Sequence, residues 1–298
     1  MKEGKAASLE EALQRILFIN SIQWQTGHIL VGLGRLDQVL DDFASDSRPD
    51  SEILDVLKEF LQRLHDSYCL KSNALMGDTG QIIILAGNNE DDSYFCNRFT
   101  YLFPDAVREI NLPDPKALVR VSSKTPSDLW DKLINLVSED CGSPLISNDD
   151  EVIPKMAEFG YSKASSCGYT TSACWEPMPS ECCEQNNIVS INYLEPFEYI
   201  SKSGREISDF VTFMKLYYEG LKAHIDSVIG YIDSIEWEKD PVLSLYNSSS
   251  RKKGIDVAYG GGEYNNYGLL TVGMANAVKS IRNIRHLVFE KKDNRSIA

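Results

Sequence analysis

The stretch Thr171-Ser172-Ala173-Cys174-Trp175-Glu176-Pro177 places a thiol and a carboxylate two residues apart, immediately ahead of a proline. Such a pair could serve catalysis, with the carboxylate carrying a proton beside a reactive sulfur. It could equally be a buried cysteine next to a solvated glutamate, since a bare Cys-x-Glu recurs where it does no chemistry. Pro177 disfavours helical geometry at Glu176, which predicts an extended segment. In an extended chain residues two apart point to the same side, so Cys174 and Glu176 can face one site. Trp175 would then point the other way, into packing that holds the loop rigid.

The remaining cysteines and histidines form no second constellation. Seven cysteines are an odd set without paired Cys-x-x-Cys spacing, and the four histidines, His28, His65, His224 and His286, are scattered. Neither a structural zinc site nor a disulfide framework follows from that pattern. Adjacent Cys182 and Cys183 point apart, and Cys69, Cys96 and Cys141 read as reduced, buried thiols. Cys167 stays open because it lies close to the Cys174 motif. The run Gly260-Gly261-Gly262 lacks the Gly-Lys-Ser/Thr ending of a phosphate loop, so its glycines are expected to permit tight backbone packing. Arg251-Lys252-Lys253 reads as a solvated turn.

The chain that must position the pair has 298 residues, 43% of them apolar, enough to bury a sizeable core. A net charge of -14 argues against nucleic acid or an anionic membrane surface as a partner held by bulk electrostatics. The uncharged run from Ile16 to Gly34 holds Asn20, Ser21, Gln23, Gln25, Thr26 and His28 and is too polar for a membrane span. The opening MKEGKAASLEE has no signal-peptide apolar region, and the expected location is cytoplasmic.

Helices and short strands alternate along the sequence. Ser8 and Glu11 fit a capping box for a first helix, and Ile53, Leu54, Leu57, Phe60, Leu61 and Leu64 recur at helical spacing in a second. Buried strands are expected over Gln81–Ala86 and Ala117–Val121, then a helix from Ser127 to Val137. Further strands are expected near Pro144–Ser147 and Asn187–Ile191. The second half is more helical: Glu206–Trp237, with a break near Gly220 or Gly230, and Val272–Phe289. This alternation predicts an α/β architecture with parallel strands and a single domain over residues 1–298.

Five segments, in order, carry a resemblance. They are GRLDQVL (Gly34–Leu40), GQIIILAG (Gly80–Gly87), SPLISNDDEVIPKMAEFGY (Ser143–Tyr161), ACWEP (Ala173–Pro177) and GGGEYNNYG with GMANAVKSIRNIRHLVF (Gly260–Phe289). Together they resemble the pyruvate formate-lyase domain of glycyl radical enzymes, over nearly the entire chain but only the middle of a typical family member. The resemblance implies part of a glycyl-radical-enzyme α/β barrel, with a cysteine loop and flanking helices. It also implies a thiyl-radical cysteine at Cys174 and, as in the Cys-x-Glu dehydratase and lyase subgroup, a base at Glu176. Trp175 stands where the formate lyase has a second cysteine, so acyl transfer to sulfur is disfavoured. The family's glycine loop, a variant of RVxGY, is not matched: the nearest text, Val119-Arg120-Val121-Ser122-Ser123, lacks the glycine. Lys279 stands where the family commonly has an acid, and Pro196 interrupts a segment that is leucine-rich in the family.

The resemblance therefore implies the catalytic-cysteine subunit of a split glycyl radical enzyme. It would dehydrate, or cleave a C–X bond of, a small hydroxylated substrate, and no cofactor or metal would be bound by this chain. The glycyl radical would sit on a second subunit carrying the rest of the barrel, installed there by an S-adenosylmethionine/iron–sulfur activating enzyme. Two alternatives stand beside it: a non-catalytic partial barrel that binds a small molecule or regulates an intact relative, and a piece of a longer enzyme.

Overall fold

A computed structural model describes residues 4–28, 31–68, 80–139, 143–171, 175–180 and 182–291. Cys69, Cys141 and Cys174 lie outside them. The chain divides into two compact units, Met1–Cys182 with Pro241–Ser249, and Cys183–Asp240 with Ser250–Ala298.

In the first unit, helix α1 (Leu9–Gln25) is capped by Ser8, whose Oγ accepts from the Glu11 amide at 3.2 Å. The returning bond runs from the Ala7 amide to Glu11 Oε2, one residue earlier than a strict capping box. Strand β1 (Gly34–Arg35) leads into the single turn α2 (Leu36–Val39), and the long helix α3 (Asp50–Tyr68) follows. The spacing of apolar residues in α3 is realised as a stripe: Ile53, Leu57, Phe60, Leu61 and Leu64 are all buried. Next come β2 (Ile83–Leu85), the small antiparallel pair β3 (Gly87–Asn88) and β4 (Tyr94–Phe95), and α4 (Arg98–Ile110) behind an Asn97 capping box. Then β5 (Ala117–Val121), α5 (Ser127–Ser138), β6 (Leu145–Asn148), α6 (Asp149–Glu158) and α7 (Lys163–Cys167) complete the alternation.

The four strands pair in the order β1-β2-β5-β6, every pairing parallel, as the alternation predicts. One face contributes Ile83, Leu85, Ala117, Val119 and Val121 to a large core shared with α3 and α4. The other face is set by register. Arg35 pairs with Ile84 and Ile84 with Leu118, so the three share a face. Arg120, two residues beyond Leu118, lies on that face too, opposite Ser147.

The second unit holds β7 (Cys182–Asn192), α8 (Glu195–Lys202) and α9 (Phe210–Asp233). Pro196 opens α8 instead of interrupting it, at a first-turn position that needs no N–H donor. Contrary to the expected break, α9 runs through Gly220 and Gly230. A Cβ on Gly220 would lie 2.9 Å from the Tyr199 side chain, so this glycine lets α8 and α9 approach closely. The short helices α10 (Pro241–Tyr246), which belongs to the first unit, and α11 (Ser248–Lys253) precede β8 (Tyr264–Val272) and α12 (Met274–Ile284). The helix expected from Val272 thus starts two residues later, and the stretch before it is a strand paired with β7. The glycine run packs as expected: a Cβ on Gly261 would run into the Ile255 carbonyl, and one on Gly262 would lie 2.6 Å from Cys183 Sγ. Lys253 donates to the Gly262 carbonyl at 2.6 Å, and the basic trio sits exposed at the end of α11. No helix among the described residues is long and apolar enough to cross a membrane.

Candidate active site

The loop that carries Cys174 and Glu176 rises from a buried polar cluster on the sheet. Its anchor is Arg120, a wholly buried charge in the middle of the apolar strand Ala-Leu-Val-Arg-Val. A guanidinium in such a place needs a carboxylate and further acceptors. Asp149, equally buried at the start of α6, supplies the first: Arg120 Nε donates to Oδ1 at 2.9 Å and Nη2 to Oδ2 at 2.8 Å. This side-on fork is the geometry in which guanidinium and carboxylate match best. The Asn88 amide also donates to Oδ2 at 2.7 Å, and the Tyr169 hydroxyl to Oδ1 at 2.8 Å, so both oxygens of Asp149 are occupied twice.

Tyr169 completes the cluster. Its ring lies flat beneath the guanidinium, 3.9 Å from Cζ to centroid, and its carbonyl accepts from Arg120 Nη1 at 3.2 Å. Because the Tyr169 hydroxyl already donates to Asp149, Ser147 Oγ at 2.7 Å is the donor to it. Burial pushes the Tyr169 phenol well above its ordinary range, so it stays protonated and keeps that bond. Gly87, at φ +120°, has no room for a side chain: a Cβ would lie 2.7 Å from Arg120 Cζ.

From Tyr169 the chain enters the loop. Thr170 and Met178 form an antiparallel bridge, Thr170 N to Met178 O at 3.0 Å and Met178 N to Thr170 O at 2.8 Å, which closes the loop at its base. A second tie runs from the Ser180 amide to the Ser165 carbonyl at 3.1 Å, on α7 just before the loop. Gly168 permits it, since a Cβ there would lie 2.8 Å from Ser180 Oγ. The bridge thus holds Thr170 and Met178 together one residue on from Tyr169 of the Arg120 cluster. Thr171, which follows Thr170, is 3% exposed.

Of the two residues singled out by spacing, Glu176 is half-buried on the returning limb, one residue before Pro177. Cys174 lies outside the described residues. Trp175 departs from expectation: it is 39% exposed and does not pack as an anchor. The backbone bridge at Thr170–Met178 holds the loop in its place. Cys167 is buried at the end of α7, where desolvation pushes its thiol above the ordinary range, a structural cysteine's environment. Lys279 is on the exposed face of α12.

Sequence reasoning missed the second arginine of this sheet face. Arg35 is 7% exposed, and its Nε and Nη2 are buried without a hydrogen-bond partner. The Phe95 ring lies 5.5 Å from its Cζ. Burial, and then the charge of Arg120, hold its affinity for a proton below the usual guanidinium value. Asp37, two residues along, makes no hydrogen bond to it: its Oδ2 accepts from the Ala86 amide at 2.6 Å and from Thr100 Oγ1 at 2.7 Å, and its Oδ1 from the Gln38 amide at 2.8 Å. The available signal was a charged residue beside an apolar strand pattern, which is weak without knowledge of burial.

A parallel sheet with helices on one face and a buried arginine–carboxylate cluster on the other defines a segment of the α/β barrel found in glycyl radical enzymes. The chain superposes on the glycerol-bound B12-independent glycerol dehydratase from Clostridium butyricum with a TM-score of 0.86 at 23% identity, covering 98% of this chain and 41% of that one. A glycyl radical enzyme from Archaeoglobus fulgidus gives 0.82 at 21%, again over 98% and 41%. Residues 1–295 match the pyruvate formate lyase-like family, and the chain belongs to it. Among curated relatives it is 25% identical to isethionate sulfite-lyase from Nitratidesulfovibrio vulgaris, over 68% of this chain and 26% of that protein. It is 22% identical to (2S)-3-sulfopropanediol dehydratase from Klebsiella oxytoca, over 97% and 39%. The chain thus spans well under half the length of these relatives.

Proposed function

We propose that this chain is the catalytic-cysteine part of a glycyl radical lyase or dehydratase that eliminates water or another leaving group from a small hydroxylated substrate. The radical is carried outside these 298 residues, on a second chain, and is installed there by an S-adenosylmethionine/iron–sulfur activating enzyme. The observation that supports the reading most is the Thr170–Met178 bridge, which ties together the two ends of the segment containing Cys174, with Glu176 half-buried two residues before Met178. Membership of a family whose relatives include lyases and dehydratases of small molecules supports it further.

The glycyl radical supplies one unpaired electron in trans. This chain's residues do the rest. Cys174 passes its thiol hydrogen outward and then takes a hydrogen atom from a substrate carbon, a transfer that runs both ways because S–H and activated C–H bonds have similar strengths. The hydroxyl on that carbon becomes more acidic, and Glu176 accepts its proton. The group on the neighbouring carbon leaves with its bonding electrons, and Cys174 returns the hydrogen atom to the product. With Trp175 in place of a second cysteine, no neighbouring sulfur is available for acyl transfer.

Glu176→Gln separates elimination from simple hydrogen exchange. In the anaerobic complex with labelled substrate, isotope exchange should persist while product formation falls about a hundred- to ten-thousandfold. Undiminished product formation would remove the carboxylate from the mechanism.

A further inference from the structure

Strand β6 ends the four-stranded sheet, and among the described residues no strand pairs with its outer edge. Its register with β5 sets Ile146 beside Val119, on the sheet face whose core α5 shares. Both faces of a parallel sheet are normally shut from water, yet Ile146 is 42% exposed. Helix α5 has a matching bare flank. Tyr101 donates to Asp128 at 3.0 Å and Lys132 to Asp105 at 2.6 and 2.7 Å, so one side of α5 is turned to α4. Leu129, Leu133 and Leu136 are buried on its core side. The remaining apolar stripe, Trp130, Ile134 and Val137, has the i, i+4, i+7 spacing and, at about 100° per residue, lies opposite the α4 side. Trp130 is half-buried, whereas Ile134 is 58% and Val137 51% exposed. Right-handed crossovers lay α4 and α5 over the sheet in strand order, so this stripe overlooks β6 and its open edge.

We propose that this flank is where a second copy of the chain docks, edge to edge through β6 and flank to flank through α5, across a two-fold axis perpendicular to the sheet. The proposal goes beyond the function above and uses none of its radical chemistry. Such an axis keeps both α5 helices on one face and runs them antiparallel, as it does the two β6 strands. The sequence is complementary to its own image in that arrangement. With Ile134 near the axis, Trp130 of each copy meets Val137 of the other, large against small on both sides. With Ile146 on the axis, Ile146 opposes itself and Leu145 opposes Ser147, a register that keeps opposed side chains on the same face of the sheet and gives the open edge its hydrogen bonds. Charge points the same way. At a net charge of -14 two copies repel one another in most orientations, but Trp130, Ile134, Val137, Leu145, Ile146 and Ser147 are all uncharged. The contact is small, one flank of a 12-residue helix and a four-residue edge, which sets the expected affinity in the micromolar range.

The test is sedimentation velocity of the full 298-residue chain across the micromolar range, with hydrogen exchange of β6 followed over the same concentrations. A reversible monomer–dimer equilibrium is expected, and the β6 amides should gain protection as the dimer forms. Ile134→Lys sets a charge against its own copy, and a two-fold contact takes each substitution twice, so dimerisation should weaken at least tenfold. Ile146→Lys should weaken it comparably through the strand edge. Val278→Lys, at an exposed apolar position of α12, should leave it unchanged. A chain that stays monomeric throughout the range overturns the proposal. So does a dimer that both flank variants preserve, one that Val278→Lys weakens equally, or one whose β6 amides exchange as in the monomer. The exchange readout needs only the parent chain, so it decides the matter even where a variant fails to fold. None of these readouts depends on turnover, and failure of the radical mechanism would leave the result standing.

Discussion

The surroundings of Arg120 and of Arg35 are built on the same sheet face, yet among the described residues only the first has every donor answered. Arg120 is enclosed: a carboxylate in its fork, an aromatic ring beneath it, a carbonyl on its third nitrogen, and a glycine cleared to make room. Arg35 has the ring and the burial but not the acceptor. A buried charge whose donors are all answered and one whose donors are not should differ in what their removal costs. Where every donor is answered internally, removal should cost stability. Where donors are left unanswered, removal should cost little stability.

The sharpest contrast comes from Arg120→Ala. It would leave Asp149 buried and uncompensated, and should cost about 3–5 kcal/mol in urea unfolding. A loss below about 1 kcal/mol would mean the cluster is not the structural anchor described. Next in size is Tyr169→Phe, which keeps the ring under the guanidinium but deletes the hydroxyl between Asp149 and Ser147. About 1–2 kcal/mol should be lost in the same assay, with the fold retained by circular dichroism. Smallest is Arg35→Met, which substitutes an apolar chain of similar length for an unanswered guanidinium. Stability should stay within about 1 kcal/mol of the parent or rise. A loss as large as that of Arg120→Ala would erase the distinction between the two arginines.

Much of the scaffold was legible in the sequence because it is written in periodicity. The strand Ala117–Val121 and the helix from Ser127 follow from an apolar run and a repeat of about 3.6, and the structure places them within a residue of expectation. The parallel order follows from alternation alone. What escaped had no local signature. Strand β1 is two residues long and begins at a glycine with φ +71°, and β8 begins with Tyr-Asn-Asn-Tyr-Gly, whose asparagines and glycine read as a turn. The break predicted near Gly220 or Gly230 is absent from α9, and Gly220 serves instead for contact with Tyr199. The cluster of Arg120, Asp149 and Tyr169 joins residues 20 to 49 positions apart, a pairing made by topology that only the oddity of an arginine inside an apolar strand could announce. Trp175 shows the opposite failure: local alternation assigned it to packing, whereas the loop is held from its foot and leaves it exposed.

The most direct measurement of the central claim is electron paramagnetic resonance, combined with product assay, on the anaerobically activated complex containing Cys174→Ser. A serine O–H bond is too strong for a glycyl radical to break, so the glycyl signal should persist at parental intensity while product formation is abolished. Cys182→Ser and Cys183→Ser should keep most of their activity under the same conditions. Substantial turnover by the Cys174→Ser complex would contradict the account, because the hydrogen atom would then have to leave the substrate for some other residue.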